Sequence, residues 1–253
     1  MLRQVQDTGH IVRLIPIYLG ALLLPWSASS LAAPIKWGFS PSDPPPYVVM
    51  DGASLQSSLT KDLGQLVANA TDRSVQFIPV PNNRIDDAFN RRQIDIICNT
   101  QPSWHTHPEQ MLWSEVLYED ADVIATRSTS QPPSSINDLR GAMVGTTLGY
   151  HYSSKLTDAF ESGQLTRHDV RDLNTRIKML ERRRLDATVE LRRPLQHYLL
   201  GKPAGIRISD WEIERFALRC ATPRQPEDHR RLIDAIHRLL DEGQITDLVD
   251  RYQ

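Results

Sequence analysis

Short apolar segments alternate along the chain with longer segments in which apolar residues recur every three to four positions. The short segments predict β-strands, and the longer ones predict amphipathic helices with one buried face. The first predicted helix shows the spacing with five apolar residues: Leu59, Leu63, Leu66, Val67 and Ala70. Alternating strands and helices are typical of βαβ units, in which helices cover a mainly parallel sheet. We therefore predict an α/β fold.

This alternation occurs twice. The predicted strands are 35–39, 75–80 and 94–98 in the first half, and 143–147, 169–173 and 187–190 in the second. The predicted helices are near 59–71, 84–91, 153–161 and 175–183. We find no residue-level repeat between the halves. The strand-like "ADVIATRS" and the proline- and serine-rich "TSQPPSS" join them, and a strand over 216–220 and two helices follow the second half.

The first 32 residues have the features of a cleaved secretory signal peptide. Arg3 and Arg13 precede the apolar run "LIPIYLGALLLPW", and the small-residue segment "SASSLAA" follows it. Cleavage after Ala32 suits these small residues. The apolar run is shorter than the roughly 20 residues that a membrane-spanning helix needs. We expect a soluble mature chain in the periplasm.

Composition excludes two classes of protein. Removing the leader takes away Arg3, Arg13 and Asp7 and changes the formal net charge from -2 to -3, which does not favour nucleic-acid binding. The one basic run, "ERRRLDATVELRR", contains acidic residues, and we interpret it as a solvated helix face and turn. Two cysteines are too few for a disulfide-framed scaffold.

In open parallel sheets, ligands bind outside the carboxyl ends of the strands. That rule selects five predicted loops: 40–47, 81–83, 99–107, 148–152 and 190–193. The first contains "DPPPY", in which the prolines would hold Tyr47 rigidly over a cleft. Position alone equally allows Tyr47 in the core, because tyrosine serves cores and binding sites alike.

Six segments carry a resemblance to a known family by their order and spacing: "IKWGFSPSDPPPYVV", "IPVPNNRIDDAFNRRQIDIICN", "WSEVLYEDADVIATR", "INDLRGAMVGTTLG", "LDATVE" and "AIHRLLDEGQITDLVDRY". In this order they resemble the periplasmic solute-binding proteins of ABC importers, extracellular family 3, which includes the polar amino-acid binders. The resemblance covers nearly the whole mature chain. It implies a two-lobed type II clamshell, each lobe a mainly parallel sheet flanked by helices, that closes by a hinge.

The resemblance also implies lobe boundaries. Lobe 1 would combine residues 33–124 with 212–253, and lobe 2 would be residues 125–211. The chain would cross between the lobes near 125–130 and again near 209–214. We expect a monomer that binds a small molecule and presents it to an ABC permease or to a membrane sensor.

Some binding positions of the family are matched. Tyr47 lies where the family has an aromatic residue that stacks on the ligand, and Asn99 and Thr100 lie in a loop that offers backbone and hydroxyl groups. Other positions differ. His107 occupies the place of the arginine that clamps a ligand carboxylate, and histidine lacks that permanently charged, bidentate fork.

Lobe 2 differs as well. Tyr150 and His151 replace a pair of small hydroxyl residues, and Glu190 is one position before the acidic site for a ligand ammonium, which Leu191 occupies. We therefore expect an aromatic-lined pocket, with Trp104 as a further member, for a ligand other than a simple α-amino acid. An organic cation with Glu190 as counter-charge and a small organic acid bound by histidines both stay open. Trp104 alternatively packs at the loop base.

Metal binding and catalysis are two other functions that these residue types can serve. His105, His107 and His151 could supply three imidazoles to a metal, but without a fourth ligand at diagnostic spacing we expect neither metal nor cofactor. A dehydratase-like enzyme on this fold would use His107, His151 or Glu190 as acid or base. With no nucleophile motif or cofactor loop in the sequence, we expect a non-enzyme.

The family's sheet order also implies a cysteine prediction. It places the strand 216–220 antiparallel beside 94–98, so Cys98 and Cys220 would end their strands at opposite edges, more than about 10 Å apart. A disulfide requires Cα atoms within roughly 7 Å. We therefore expect two free thiols.

Overall fold

The computed structural model describes residues 33–202 and 205–252. The predicted signal peptide, 1–32, lies outside the described residues and stays a prediction. Within the described ranges, no helix is long and apolar enough to cross a membrane.

The secondary structure of the described residues consists of short strands and helices. The strands are β1 (Ile35–Phe39), β2 (Met50–Asp51), β3 (Ser54–Leu55), β4 (Val75–Pro79), β5 (Ile96–Thr100), β6 (Met111–Trp113), β7 (Tyr118–Arg127), β8 (Met143–Thr147), β9 (Thr166–Val170), β10 (Ala187–Leu191) and β11 (Ile206–Pro223). The helices are α1 (Leu59–Ala70), α2 (Ile85–Asn90), α3 (Ser154–Glu161), α4 (Leu173–Glu181), α5 (Arg192–Leu199), α6 (Asp228–Asp241) and α7 (Gln244–Asp250).

The strands form two parallel groups joined through two antiparallel strands. The strand order is β4-β1-β5-β11-β7-β10-β8-β9, with β6 paired to β11. Pairing is parallel within β4-β1-β5 and within β10-β8-β9, and antiparallel at β11 and β7. Each lobe is thus a mainly parallel sheet with one antiparallel strand. This confirms the predicted α/β clamshell.

Strands β7 and β11 connect the two parallel groups. One end of β11 pairs with β5 and β6, and its long remainder pairs with β7, which in turn pairs with β10. The pairing register of β11 shifts between Ile208 and Glu212 and again between Glu212 and Glu214. Such irregularities bend a strand locally. We propose that the chain crosses between the lobes within these two strands; the boundaries 33–124, 125–211 and 212–253 stay a prediction.

Apolar clusters cover both faces of each sheet. In lobe 1, Ile96 and Cys98 pack with the cluster that contains α1, α6 and α7, whereas Ile97 packs with Ala88 and Phe89 of α2. In the cores on either side of β10, Val123 packs with α4 and α5, and its neighbour Ile124 packs with α3. Alternate residues of one strand therefore serve opposite cores, as in parallel sheets buried on both faces.

One structural feature repeats between the lobes. Asp95 precedes β5 and accepts the Lys36 N–H of β1 at 2.9 Å, and Asp186 precedes β10 and accepts the Met143 N–H of β8 at 2.9 Å. Three residues before each aspartate stands an arginine with a left-handed backbone: Arg92 (φ 54°) and Arg183 (φ 59°). The segments "RRQID" and "RRRLD" therefore fold alike, a local repeat that the sequence analysis missed.

Some elements differ from the sequence prediction. The strand predicted at 169–173 lies at Thr166–Val170 because Asp172 caps the next helix, accepting the Thr175 N–H at 2.8 Å. The basic run "ERRRLDATVELRR" is not one solvated helix face and turn. It contains the end of α4, all of β10, whose residues are buried, and the start of α5.

The prediction of two free thiols is wrong. Cys98 and Cys220 form a disulfide, with their Cα atoms 3.9 Å apart. The error lay in the strand ends, because β5 continues past Cys98 to Thr100 and β11 continues past Cys220 to Pro223. A register shift between Arg219 and Ala221 places Cys220 opposite Cys98 in the ladder.

The disulfide closes a long segment, with a sequence separation of 122 residues. Replacing both cysteines (C98A/C220A) should therefore lower the free energy of unfolding by about 2–5 kcal/mol, measured by urea denaturation. As a control, reductant should destabilise the wild-type protein but not the double variant. Alkylation under denaturing, non-reducing conditions should label neither cysteine; two labels would contradict the disulfide.

Candidate ligand-binding site

A cavity of about 400 Å³ lies between the lobes. Its walls come from the carboxyl ends of β5 and β10 and from the segments that follow β1, β4, β5 and β8. Six of the residues that the sequence analysis selected line it: Tyr47, Asn99, Thr100, Trp104, Tyr150 and His151. Two others, His107 and Glu190, do not line it.

His107 lies on the surface rather than in the arginine position of a carboxylate clamp. Its side chain is 62% exposed, and its Nδ1 atom is 3.4 Å from Glu109 Oε1. It directly precedes the 3₁₀ turn Pro108–Gln110, which follows the cavity-lining segment. His107 therefore does not line the cavity, and its contact with a ligand stays a prediction. His105, two residues earlier, lines the cavity instead.

Glu190 is buried beneath the cavity wall. Its carboxylate forms an ion pair with Arg176, and both side chains are 1% exposed. Glu190 Oε1 also accepts the Leu191 N–H at 3.0 Å, and Leu191 lines the cavity in its place. Arg176 donates a further bond to the Val189 carbonyl at 2.8 Å. The carboxylate of Glu190 therefore has protein partners and is not the expected counter-charge facing the ligand.

Tyr47 is held by its hydroxyl group and by its ring. The hydroxyl donates a hydrogen bond to Asp120 Oδ2, and the ring stacks on Tyr118 with centroids 6.1 Å apart. Tyr118 in turn donates to Asn99 Oδ1 at 2.6 Å. Tyr47 is only 2% exposed and yet lines the cavity, so it belongs to both the core and the site. The two interpretations that the sequence left open are thus compatible.

Asp120 connects this network to the strand shared by the lobes. Burial raises the pKa of its carboxyl group, and the hydrogen bond from Tyr47 and the Ala121 N–H only partly offset that effect. The Arg193 guanidinium lies 5.0 Å from the Tyr118 ring centroid. A cation thus already lies over the ring of Tyr118, as cation–π geometry favours.

One hydrogen bond crosses the cavity between the lobes. Tyr150, which follows β8, donates to Asp43 Oδ1, which follows β1, at 2.6 Å. Burial raises the pKa of Asp43 from 3.8 to about 7, with the Tyr150 bond opposing the rise. Gly149 (φ 83°), after β8, also lies beside Asn83, after β4: a Cβ added at Gly149 would be in ordinary van der Waals contact, 3.6 Å from the Asn83 backbone nitrogen. The lobes therefore meet in a closed arrangement.

His105 forms a chain of hydrogen bonds at the opposite wall. Its Nδ1 atom is 2.6 Å from Asp86 Oδ1, and its Nε2 atom is 2.8 Å from Thr100 Oγ1. Burial lowers the pKa of His105, against the attraction of Asp86. Burial would raise the pKa of Asp86, but the hydrogen bonds from Thr106 and His105 outweigh it and hold that pKa below its ordinary value.

The charge of the cavity wall is one-sided. Asp43, Asp86 and Asp87 line it, and none of the described residues that line it is lysine or arginine. Aromatic side chains, Tyr47, Trp104 and Tyr150, contribute further wall area. Trp104 also packs edge-on against Phe216 at 5.2 Å, so its alternative role in packing holds as well. Carboxylates and aromatic faces together attract cations.

The histidines do not assemble into a metal site. Both ring nitrogens of His105 have hydrogen-bond partners, and His107 lies outside the cavity. Among the described residues, no group of three or more histidine, cysteine, aspartate or glutamate side chains is placed to hold a metal ion.

Comparison with known proteins gives structural relatives only. No protein-family model matches the chain, and no curated protein sequence is significantly similar to it. An ancestral arginine-binding protein bound to arginine superposes with a TM-score of 0.74 at 18% identity, over 88% of this chain and 99% of that one. The chain has the fold of the two-lobed amino-acid-binding proteins.

Other structures with this clamshell fold are also similar. The GluR0 ligand-binding core in complex with L-glutamate has a TM-score of 0.72 at 16% identity, covering 87% of this chain and 98% of that one. A histidine kinase sensor domain with similarity to periplasmic binding proteins has a TM-score of 0.72 at 16% identity, covering 87% and 95%. These likenesses establish the clamshell fold.

Sequence analysis did not select the three acidic residues of the cavity wall, Asp43, Asp86 and Asp87. Asp43 lies in a selected loop, in which only Tyr47 was named as a binding residue. Asp86 and Asp87 lie beyond the selected loop 81–83, in a segment predicted as a helix from residue 84, and α2 does begin there, at Ile85. The available signal was that these segments follow the carboxyl ends of β1 and β4.

The reassignment of Glu190 can be tested through stability. The variant E190Q leaves Arg176 buried without its anionic partner, so the free energy of unfolding should fall by about 3–5 kcal/mol in urea denaturation. R176M should be similarly destabilised, and the double variant should lose less than the two single losses combined. Unchanged stability of E190Q would instead favour a role of Glu190 in ligand contact alone.

The raised pKa of Asp43 predicts a pH-dependent stability difference. Between its ordinary pKa of 3.8 and its folded pKa of about 7, the folded state binds more protons at Asp43 than the unfolded state does. The contribution of Asp43 to stability therefore falls as pH rises across that window. The melting temperature of D43N relative to wild type should rise from pH 5 to pH 8 in ligand-free protein. A constant difference would contradict this.

Proposed function

We propose that this protein is an exported solute-binding protein that captures a small organic cation between its lobes. The single observation that carries the proposal is the cavity wall, which presents Asp43, Asp86 and Asp87 with no described lysine or arginine among its lining residues. A cavity of about 400 Å³ suits a small molecule.

The same wall argues against a simple α-amino acid. An α-carboxylate is best bound by an arginine fork or another cation. At the position where the family has that arginine, His107 lies outside the cavity, so a carboxylate would meet three acidic side chains and no lysine or arginine among the described lining residues. The arginine-bound relative shows that a cationic side chain fits this fold, and the present site favours cations without the carboxylate.

Aromatic rings would complete the binding of a cation. Tyr47, Trp104 and Tyr150 each have surface in the cavity, and a cation–π contact contributes about 0.5–2 kcal/mol according to its desolvation. Asp43 is the counter-charge at the junction of the lobes. Because a bound cation favours the ionised carboxylate, binding should draw Asp43 toward its charged form and offset the cost of its burial.

The bound, closed form would be the signal to a partner. Tyr150 and Asp43 join the lobes directly, so occupation of the cavity and closure are linked. We propose delivery to an ABC permease in the inner membrane, and no enzymatic activity. A membrane sensor is the second candidate, supported by the histidine kinase sensor domain with the same fold.

Thermal shift and calorimetry of the mature protein, unfolded and refolded to remove ligand, will test the proposal. The panel contains polyamines, agmatine, ethanolamine, choline, standard amino acids, aromatic acids and Zn²⁺. A cation at about 100 times its dissociation constant should stabilise the protein by about 2.7 kcal/mol. Stabilisation by acids or amino acids but not by amino cations would overturn the proposal.

The pH dependence of affinity gives a sharper test. Affinity for the best cation should increase as pH rises through about 7, where Asp43 ionises. D43N should bind more weakly and lose that part of the pH dependence. D234N removes one exposed carboxylate from α6, outside the cavity, and should leave affinity unchanged. Equal losses in the two variants would show only a general effect of charge.

A further inference from the structure

We infer that the chain Asp86–His105–Thr100 fixes the Thr100 hydroxyl as a hydrogen-bond acceptor toward the cavity, and thereby selects cations that carry N–H groups over quaternary ammonium ions. This specificity rests on the proposed function, because it concerns the ligand of the same cavity. The aromatic residues and carboxylates of the wall would attract both kinds of cation, so another feature has to distinguish them.

The hydrogen bonds of Asp86 show that its carboxyl group is ionised. Its Oδ2 atom accepts the Thr106 N–H at 2.8 Å, and its Oδ1 atom lies 2.6 Å from His105 Nδ1. Both contacts suit an ionised carboxylate, and the pKa of Asp86 lies below its ordinary value. An ionised carboxylate only accepts hydrogen bonds, so the proton between the two residues belongs to His105 Nδ1.

His105 is a neutral imidazole that carries its proton on Nδ1. Its side chain is 2% exposed, and burial lowers its pKa, so the ring is neutral at neutral pH. A neutral imidazole with a proton on Nδ1 has a bare Nε2 that accepts. The Thr100 hydroxyl, 2.8 Å from Nε2, must then be the donor of that bond.

The Thr100 hydroxyl group can therefore only accept hydrogen bonds from a ligand in the cavity. Thr100 lines it and is 4% exposed. Because its single hydroxyl proton is used by His105, the oxygen offers only lone pairs to a ligand. An ammonium or guanidinium N–H can satisfy this buried oxygen, whereas a quaternary ammonium cannot. A site built to accept an N–H rejects the analogue that lacks it, since the polar group would stay unpaired.

A purely structural role for the chain is the competing explanation. The His105 ring packs against Trp113 at 5.4 Å and Phe89 at 6.4 Å, so it also contributes to the lobe 1 core.

Hydrolytic enzymes use the same order of carboxylate, imidazole and hydroxyl to generate a nucleophile. In a cleft proposed to bind its ligand unchanged, the same order sets hydrogen-bond polarity.

The variant D86N reverses the chain. Its side-chain oxygen would retain the bond from Thr106, which places the introduced NH₂ group toward His105 Nδ1. His105 would then carry its proton on Nε2 and donate to Thr100, whose hydroxyl could donate into the cavity. The control D87N removes the same charge from the next residue, whose side chain is 67% exposed and which also lines the cavity.

Calorimetry with two matched ligand pairs tests the selection: ethanolamine against choline, and putrescine against its hexamethyl analogue. The wild-type protein should prefer the N–H member of each pair by at least about tenfold. D86N and T100V should lose most of this preference, whereas T100S should keep it. D87N should weaken both members alike, because it removes charge without changing the hydroxyl.

The tautomer of His105 can be measured without any ligand. Two-bond ¹H–¹⁵N spectra of the folded protein should show the proton on Nδ1 in the wild type and on Nε2 in D86N. An Nε2 proton in the wild type overturns the inference. Equal affinity for both members of each pair overturns it too, while the proposed cation binding stands. If no cation binds, the proposed function fails and the selectivity fails with it, even with the expected tautomer.

Discussion

The antiparallel pairing of β7 with β11 is the constraint on which the rest of the structure depends. In the strand order these two strands lie between the parallel groups β4-β1-β5 and β10-β8-β9 and connect them. The residues of β7 alternate between opposite cores, and Asp120 of this strand anchors Tyr47. The binding-site aromatic is therefore tied directly to the strand about which the lobes are joined.

The shared strands also bring acidic groups together. Burial, followed by the charges of Glu190 and Glu214, raises the pKa of Asp122 well above its ordinary value. Asp120 receives hydrogen bonds, and Glu190 has Arg176 as its partner. The three carboxyl groups are thus accommodated in different ways: Asp122 by a raised pKa, Asp120 by hydrogen bonds and Glu190 by an ion pair. The cavity wall adds three further acidic side chains, Asp43, Asp86 and Asp87.

In the proposed function, the two walls of the cavity have different roles. On one side, Asp43 and Tyr150 join the lobes and supply a titratable charge. On the other, His105 and Asp86 determine the orientation of one hydroxyl group, on Thr100. Charge attracts any cation at long range, whereas a fixed hydrogen-bond polarity acts only on contact and distinguishes one cation from another.

The sequence by itself determined the α/β class, most of the elements and the loops that form the cleft, because periodicity and turn residues are local properties. It selected six residues that line the cavity, since loops after parallel strands converge whatever their details. Only the tertiary structure decided the rest. Cys98 and Cys220 form a disulfide because of where β5 and β11 end and because the register of β11 shifts between Arg219 and Ala221. The side chain of His107, which precedes a turn, lies on the surface. The partner of Glu190 is Arg176, fourteen residues earlier on another element. Such outcomes depend on register and on partners distant along the chain, which no local pattern encodes.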